Sequence, residues 1–193
     1  QPAEAAAAFG RAAALADGTP ADAAQAALSL EASGSTRQAY DAWRPIEPTV
    51  WRSRREWAAS RMRTIAAIES PLPAARAVAE YRSLFPDDEQ ATSLLIDLYS
   101  RAGKPALALE ALAPLLSGPS RTQWLRRESQ LAEETGDRDR AIRALEELSR
   151  AGLASKADDI TRAKWLASRG DERRLDEVIA RLDRGAKDCS ATR

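Results

Sequence analysis

The chain has 193 residues, 29 basic and 29 acidic side chains, and no histidine. This balanced charge argues against a dedicated nucleic-acid binder, whose binding surface would be basic. Because histidine is missing and Cys189 is the single cysteine, the chain offers no Ser-His-Asp or Cys-His catalysis, no internal disulfide and no thiolate or histidine metal site. We therefore expect a protein that is not an enzyme and that carries neither a cofactor nor a metal.

The sequence predicts an all-α fold, because no alternation of β-branched residues extends over five positions. Glycine, proline and aspartate separate one amphipathic segment from the next. The predicted helices are 3–17, 20–33, 36–46, 48–69, 72–85, 88–102, 105–117, 120–135, 138–151, 156–169 and 171–184.

Neither a membrane span nor a signal peptide is expected in these residues. No apolar run reaches the roughly 20 residues that a transmembrane helix needs. The first residues, Gln1-Pro2-Ala3-Glu4, lack a basic segment and a hydrophobic stretch. A signal already removed, or a longer parent chain, fits this beginning equally well.

Three glycines mark a repeat in the second half of the chain. Gly103, Gly136 and Gly170 are 33 and 34 residues apart, and each one ends a predicted helix that is followed at once by another. A glycine at a helix C-terminus adopts the left-handed backbone that closes the helix tightly. The spacing therefore predicts antiparallel helical hairpins that turn at these three residues.

Residues at fixed distances from these glycines match in size. Four residues before the glycines stand Tyr99, Ala132 and Leu166, and five residues after them stand Ala108, Ala141 and Leu175. Nine residues after them stand Leu112, Leu145 and Ile179, and twelve residues after them stand Leu115, Leu148 and Leu182. Residues at this spacing share one face of a helix. We expect the alanines to lie where two helices cross closely and the larger residues to fill the adjoining core.

This pattern resembles the tetratricopeptide repeat (TPR), a helix–turn–helix unit of 34 residues. Units begin near Glu89, Thr122 and Lys156, and a degenerate one begins near Arg55, with Glu69 at its turn position. The resemblance covers 55–184 and, loosely, 3–34, whereas 35–54 fits no register and is expected to form an extra helix. It implies a single domain over 1–193, an α-solenoid of about five antiparallel hairpins in a right-handed superhelix, with a disordered tail over 185–193.

In TPR proteins, partners lie along a concave groove formed by the first helix of each hairpin. Carried over to this chain, the predicted protein-binding residues are Arg63, Gln90, Asp97, Arg101, Gln123, Arg126 and Gln130. This set contains both signs of charge and several amides, which suits a protein or peptide better than a purely anionic polymer.

A second candidate site combines basic and aromatic residues: Trp51, Arg52, Arg54, Arg55 and Trp57. Such a patch could hold an anionic chain or an acidic partner through ion pairs and cation–π contacts. The alternative is a solvated helix face, since tryptophans at helical spacing usually pack in the core.

One short motif resembles a catalytic one. Ile68-Glu69-Ser70 is similar to the glutamate–serine pair of lytic transglycosylases, but the glycine- and aromatic-rich substrate segment of those enzymes is missing downstream. We therefore expect Glu69 to be a turn residue.

The functional hypothesis is a non-catalytic TPR-like scaffold that binds another protein. The chain is rich in alanine and arginine and poor in lysine and cysteine. In these features it is similar to the periplasmic helical-repeat regions of exopolysaccharide export proteins of biofilm-forming bacteria (the Pel, alginate, cellulose and poly-N-acetylglucosamine systems). There, the repeats recruit a polymer-modifying enzyme beside an outer-membrane pore, which implies a periplasmic location. The alternatives are the helical superstructure of a cell-wall lytic enzyme and a cytoplasmic TPR adaptor.

Overall fold

The computed structural model describes Glu4 and residues 19–191, with side chains up to 183. Within that part the chain is about 80% helical and contains no strand, so the predicted all-α class is confirmed. The described helices are α1 (Pro20–Ala32), α2 (Thr36–Trp43), α3 (Pro48–Trp51), α4 (Arg55–Ile68), α5 (Pro71–Leu84), α6 (Glu89–Arg101), α7 (Pro105–Leu116), α8 (Arg121–Glu134), α9 (Arg138–Arg150), α10 (Lys156–Arg169) and α11 (Glu172–Ala191). The predicted helix 3–17 lies outside the described residues.

Local sequence signals set the helix ends. Thr19 accepts a hydrogen bond from the Asp22 N–H while the Asp22 carboxylate accepts one from the Thr19 N–H, so the two residues form a capping box on α1. Pro71 occupies the first turn of α5, where a missing N–H costs nothing. Gly170 ends α10 in the left-handed region, at φ 69°.

Three segments differ from the sequence-based predictions. The predicted helix 48–69 is two helices, α3 and α4, because Arg54 is extended and the Ser53 hydroxyl donates to the Val50 carbonyl at 2.6 Å. The segment 35–54 contains both α2 and α3, where one extra helix was expected. The last helix runs to Ala191, whereas we expected it to end near 184 and a disordered tail to follow over 185–193.

The helices form two compact units, the first ending at Lys104 and the second beginning at Pro105. In the first unit α1 packs against α2, α3 and α4, and α4 packs against α5, which in turn packs against α6. In the second unit each helix from α7 to α11 packs against the next one. The hairpin expected at Gly103 stays a prediction, since α6 closes one unit and α7 opens the other.

Five turns stand in one register. Gly34, Glu69, Gly103, Gly136 and Gly170 follow one another at intervals of 35, 34, 33 and 34 residues. The four glycines have φ between 66° and 83°, a conformation that residues with a Cβ rarely adopt. Glu69 instead takes an extended backbone. Gly34 therefore places α1 and α2 in the repeat register as a hairpin, which the sequence analysis missed.

The same positions after each turn are buried. A fully buried alanine lies five residues after the first four turns, at Ala39, Ala74, Ala108 and Ala141. Larger buried residues lie nine and twelve positions after them, at Trp43 and Ile46, Val78 and Tyr81, Leu112 and Leu115, and Leu145 and Leu148. The chain is thus a helical repeat-like structure, and the predicted burial of Ala108 and Ala141 is confirmed.

The last hairpin departs from this pattern. Ile179 is 43% exposed, so its predicted place in the core is wrong, and its neighbour Val178 is buried instead. Of the described helices, α11 packs mainly against α10, so only one side of it is covered. In the α9 hairpin, which packs against helices on both sides, the equivalent residue Leu145 is buried.

None of the described helices combines the length and the apolar character that crossing a bilayer requires.

Candidate protein-binding surface

An open cleft of about 490 Å³ lies along α4, the first helix of its hairpin. Leu28 and Ala59 supply apolar area, and the remaining lining is polar and carries both signs of charge. The residues that line it are Leu28, Arg55, Glu56, Ala59, Arg63, Tyr81 and Asp88. We call it the α4 cleft; it brings together two of the predicted site residues, Arg55 and Arg63.

One wall of the α4 cleft is a hydrogen-bonded network. Arg55 donates to Asp87 at 3.1 Å and to Asp88 at 3.3 Å, and the Tyr81 hydroxyl donates to Asp88 at 2.8 Å. Burial alone would raise the pKa of Asp88, but the hydrogen bonds that its carboxylate accepts lower it below its usual value. Burial and the bond to Asp88 raise the pKa of Tyr81. This wall therefore presents a fixed carboxylate and a fixed cation.

Arg63 is held by the neighbouring first helix. Its guanidinium makes a bidentate pair with Glu31 of α1, at 2.5 Å for Nε–Oε1 and 2.7 Å for Nη2–Oε2. The hydrogen bond to Glu31 raises the pKa of Arg63. Because such a pair occupies the guanidinium fork, Arg63 joins α1 to α4 rather than standing free for a partner.

Arg126 has the corresponding role in the second unit. It donates to Asp158 of α10, at 3.0 Å from Nε to Oδ1 and 2.8 Å from Nη2 to Oδ2. Asp158 also caps its own helix by accepting from the Ser155 N–H at 2.7 Å. The hydrogen bond from Arg126 lowers the pKa of Asp158 to about 2, with a further contribution from Ser155.

These contacts recur at one sequence distance. Glu31 and Arg63, Arg55 and Asp87, and Arg126 and Asp158 are each 32 residues apart. A separation close to the repeat length joins nearly equivalent positions of successive hairpins. The sequence placed Arg63 and Arg126 among the partner contacts, and the structure shows that both also fasten neighbouring first helices.

The other predicted contacts lie at the surface. Gln90, Asp97 and Arg101 are exposed on α6, and Gln123 and Gln130 are exposed on α8. Gln130 accepts a hydrogen bond of 3.5 Å from Arg127. The five predicted contacts are accessible to a partner, those on α6 in the first unit and those on α8 in the second.

The basic–aromatic patch has buried rings and exposed cations. Trp51 and Trp57 are only 3% and 4% exposed, while Arg52, Arg54 and Arg55 are exposed. The Cζ atoms of Arg52 and Arg61 lie 5.0 and 4.3 Å from the centroid of the Trp51 ring.

The cations of this patch are largely engaged within the chain. Glu80 accepts from both Arg52 and Arg61, and Arg54 lies over Trp57 at 4.6 Å. The tryptophan faces are therefore covered by the chain's own arginines.

Glu69 lies in a different cleft of the first unit, of about 410 Å³. Its carboxylate accepts a hydrogen bond from the Tyr40 hydroxyl of α2, and this bond raises the pKa of Tyr40. Ile65, Arg76 and Trp43 are among the other lining residues. Glu69 thus occupies a hairpin turn, where the sequence analysis expected it.

Sequence reasoning missed the network of Tyr81 and Asp88. The sequence signal for it is that Tyr81 and Asp88 are seven residues apart with Pro86 between them, so the turn brings Asp88 back to the end of α5. Comparison of the chain with models of known protein families gave no match, and comparison with curated proteins gave none either.

Proposed function

We propose that the chain is a non-catalytic, TPR-like scaffold that binds a segment of another protein in the α4 cleft. The observation that carries this proposal is the cleft itself, which combines the apolar side chains of Leu28 and Ala59 with fixed cations on α4 and the fixed carboxylate of Asp88. A peptide with alternating apolar and charged side chains matches such a lining. The hairpins in one repeat register and the recurring ion pairs between first helices support the TPR-like part of the proposal, because repeat proteins bind partners on surfaces built from successive hairpins.

We further propose that the scaffold is the periplasmic repeat region of an exopolysaccharide export protein and recruits a polymer-modifying enzyme. This part rests on the compositional resemblance alone. Fractionation of cells that express the full-length protein tests it: recovery from the periplasm supports the proposal, and recovery from the cytosol favours the adaptor alternative.

Glu56 offers the sharpest test of the binding surface. It lines the α4 cleft, is exposed, and has no described ion pair, so Glu56→Arg reverses a cleft charge without breaking a contact of the fold. The matched control is Glu110→Arg, the same exchange at an exposed position of α7, a second helix. The partner to titrate is the enzyme encoded beside this gene.

In a calorimetric titration we expect Glu56→Arg to weaken binding about tenfold or more, which corresponds to about 1.4 kcal/mol, and Glu110→Arg to bind like the unaltered chain. Equal affinity of both variants would place the partner on another surface. Arg126→Glu is a poor probe, because it would set a carboxylate beside Asp158 and destabilise the second unit.

A further inference from the structure

A second cleft, of about 430 Å³, lies in the second unit among α9, α10 and α11. Its lining is dominated by arginine: Glu146, Ser149, Arg150, Arg162, Arg174, Glu177 and Arg181. None of these residues belongs to the first-helix set predicted to bind a partner protein. We call it the arginine cleft.

Arg162 is a buried arginine at a repeat position that is apolar and buried in two other hairpins. It lies eight residues before the turn Gly170, and the equivalent residues before Gly34 and Gly103 are the buried Ala26 and Leu95. The side chain of Arg162 is only 10% exposed. A buried guanidinium needs compensation, because burying a charge without partners is costly.

The other polar residues at this repeat position are compensated. Before Glu69 stands Arg61, which lies over Trp51 and donates to Glu80 at 3.4 Å. Before Gly136 stands Glu128, which accepts from Arg140 at 2.8 Å. Each has a hydrogen bond within its own unit.

Arg162 lacks such a bond among the described residues. Its Nε is buried without a partner, and its nearest carboxylate oxygen, on Asp159, is 3.6 Å away from Nη2. Arg181 also competes for Asp159, at 3.1 Å. Burial lowers the pKa of Arg162, so its charged form is held at a cost that an anion would offset.

The other arginines of the cleft differ in whether they make hydrogen bonds within the chain. Glu146 and Asp171 accept from Arg174, and Arg181 donates to Ser149. Arg150 is exposed at the rim and has no described ion pair. Arg150 and Arg162 are therefore the two arginines of the cleft that make no described hydrogen bond.

We propose that the arginine cleft binds the phosphate group of a small phosphomonoester, with Arg162 at its base and Arg150 at its rim. A phosphate carries up to two negative charges and several acceptor oxygens, so it can meet two guanidinium forks at once, whereas a single carboxylate is matched by one. The cleft has room beyond the phosphate for the group that carries it.

The test is calorimetric titration of the chain with inorganic phosphate, phenyl phosphate and acetate at matched ionic strength. We expect saturable binding of both phosphates and none of acetate; tighter binding of phenyl phosphate would identify an ester rather than the free ion as the ligand. Acetate binding as well as phosphate, or absence of saturable binding by either phosphate, would overturn the proposal.

Two variants locate the site. Arg150→Gln keeps the fold, because the side chain is exposed and unpaired, and we expect about tenfold weaker phosphate binding. Arg162→Met, once its folding is verified by circular dichroism, should abolish binding. The control Arg173→Gln removes an exposed arginine of α11 that does not line the cleft, and it should bind phosphate normally. Unchanged binding by Arg150→Gln, or an equal loss in Arg173→Gln, would show nonspecific attraction by surface charge.

Discussion

Arginine pairs with carboxylates in both units, but among the described residues it lies over aromatic rings only in the first. In the first unit Arg52 and Arg61 lie over Trp51 and Arg54 lies over Trp57, and Glu80 also accepts from Arg52 and Arg61. In the second unit arginine is held mainly by carboxylates of other helices. Examples are Arg121 with Glu147, Arg126 with Asp158, Arg174 with Glu146 and Arg181 with Asp159.

This difference predicts different responses to solution conditions. A guanidinium over a ring keeps its attraction at any pH where proteins fold, because neither group titrates there. A carboxylate pair is lost when the acid is protonated, and exposed pairs weaken with salt. Acid should therefore break the carboxylate pairs of both units and leave the cation–π contacts of the first unit in place.

The largest expected loss of stability comes from replacing the buried alanines that both units carry at the same repeat position. Ala74 in the first unit and Ala141 in the second are fully buried five residues after a turn. Ala74→Leu and Ala141→Leu should each lower the free energy of unfolding by about 1–3 kcal/mol, because a leucine overpacks a close helix crossing. Urea unfolding followed by circular dichroism measures this loss.

An exposed alanine of α10 is the control for these variants. Ala167→Leu should change the free energy of unfolding by less than about 0.5 kcal/mol. If Ala141→Leu were as stable as Ala167→Leu, the alanine would not lie at a close crossing and the repeat register would be wrong in the second unit.

The next largest effect is the loss of a carboxylate pair in acid. The pKa of Asp158 is about 2 in the folded chain against an ordinary 3.8, so its pair with Arg126 stabilises the fold fully above about pH 4 and is lost as the pH falls through 2. We expect Arg126→Gln to cost about 1–2 kcal/mol at pH 6, and this difference from the unaltered chain should disappear near pH 2.

Arg143→Gln serves as the control, since Arg143 is exposed on α9 without a described ion pair. Its stability should parallel that of the unaltered chain from pH 6 to pH 2. A difference between Arg126→Gln and the unaltered chain that persisted at pH 2 would show that Arg126 stabilises by packing its methylenes and not through the carboxylate.

Much of the fold could be predicted because the glycine spacing and the apolar positions are local signals. Gly136, Ala141 and Leu145 define one hairpin by themselves. The hairpin at Gly34 was missed because its neighbouring turn carries Glu69, so the period appeared broken at that point.

The site was less predictable, because contacts between hairpins depend on residues about 32 positions apart. Nothing near Arg126 in the sequence indicates Asp158, and nothing near Arg162 indicates that Arg181 shares its carboxylate. Exposure and charge could be predicted for single residues, but the pairing that decides whether an arginine is free could not.

The smallest expected loss of stability tests the cation–π contacts of the first unit. Arg54 is exposed, its Cζ lies 4.6 Å from the centroid of the buried Trp57 ring, and it has no described ion pair. Arg54→Gln should therefore cost about 0.5–1 kcal/mol in urea unfolding, the range of an exposed cation–π contact. Because no carboxylate takes part, this loss should be nearly equal at pH 6 and at pH 3. Arg54→Lys should recover part of it, since an ammonium retains the charge but not the planar stacking. A loss that vanished at pH 3 would mean that Arg54 acts through a carboxylate and not through the Trp57 ring.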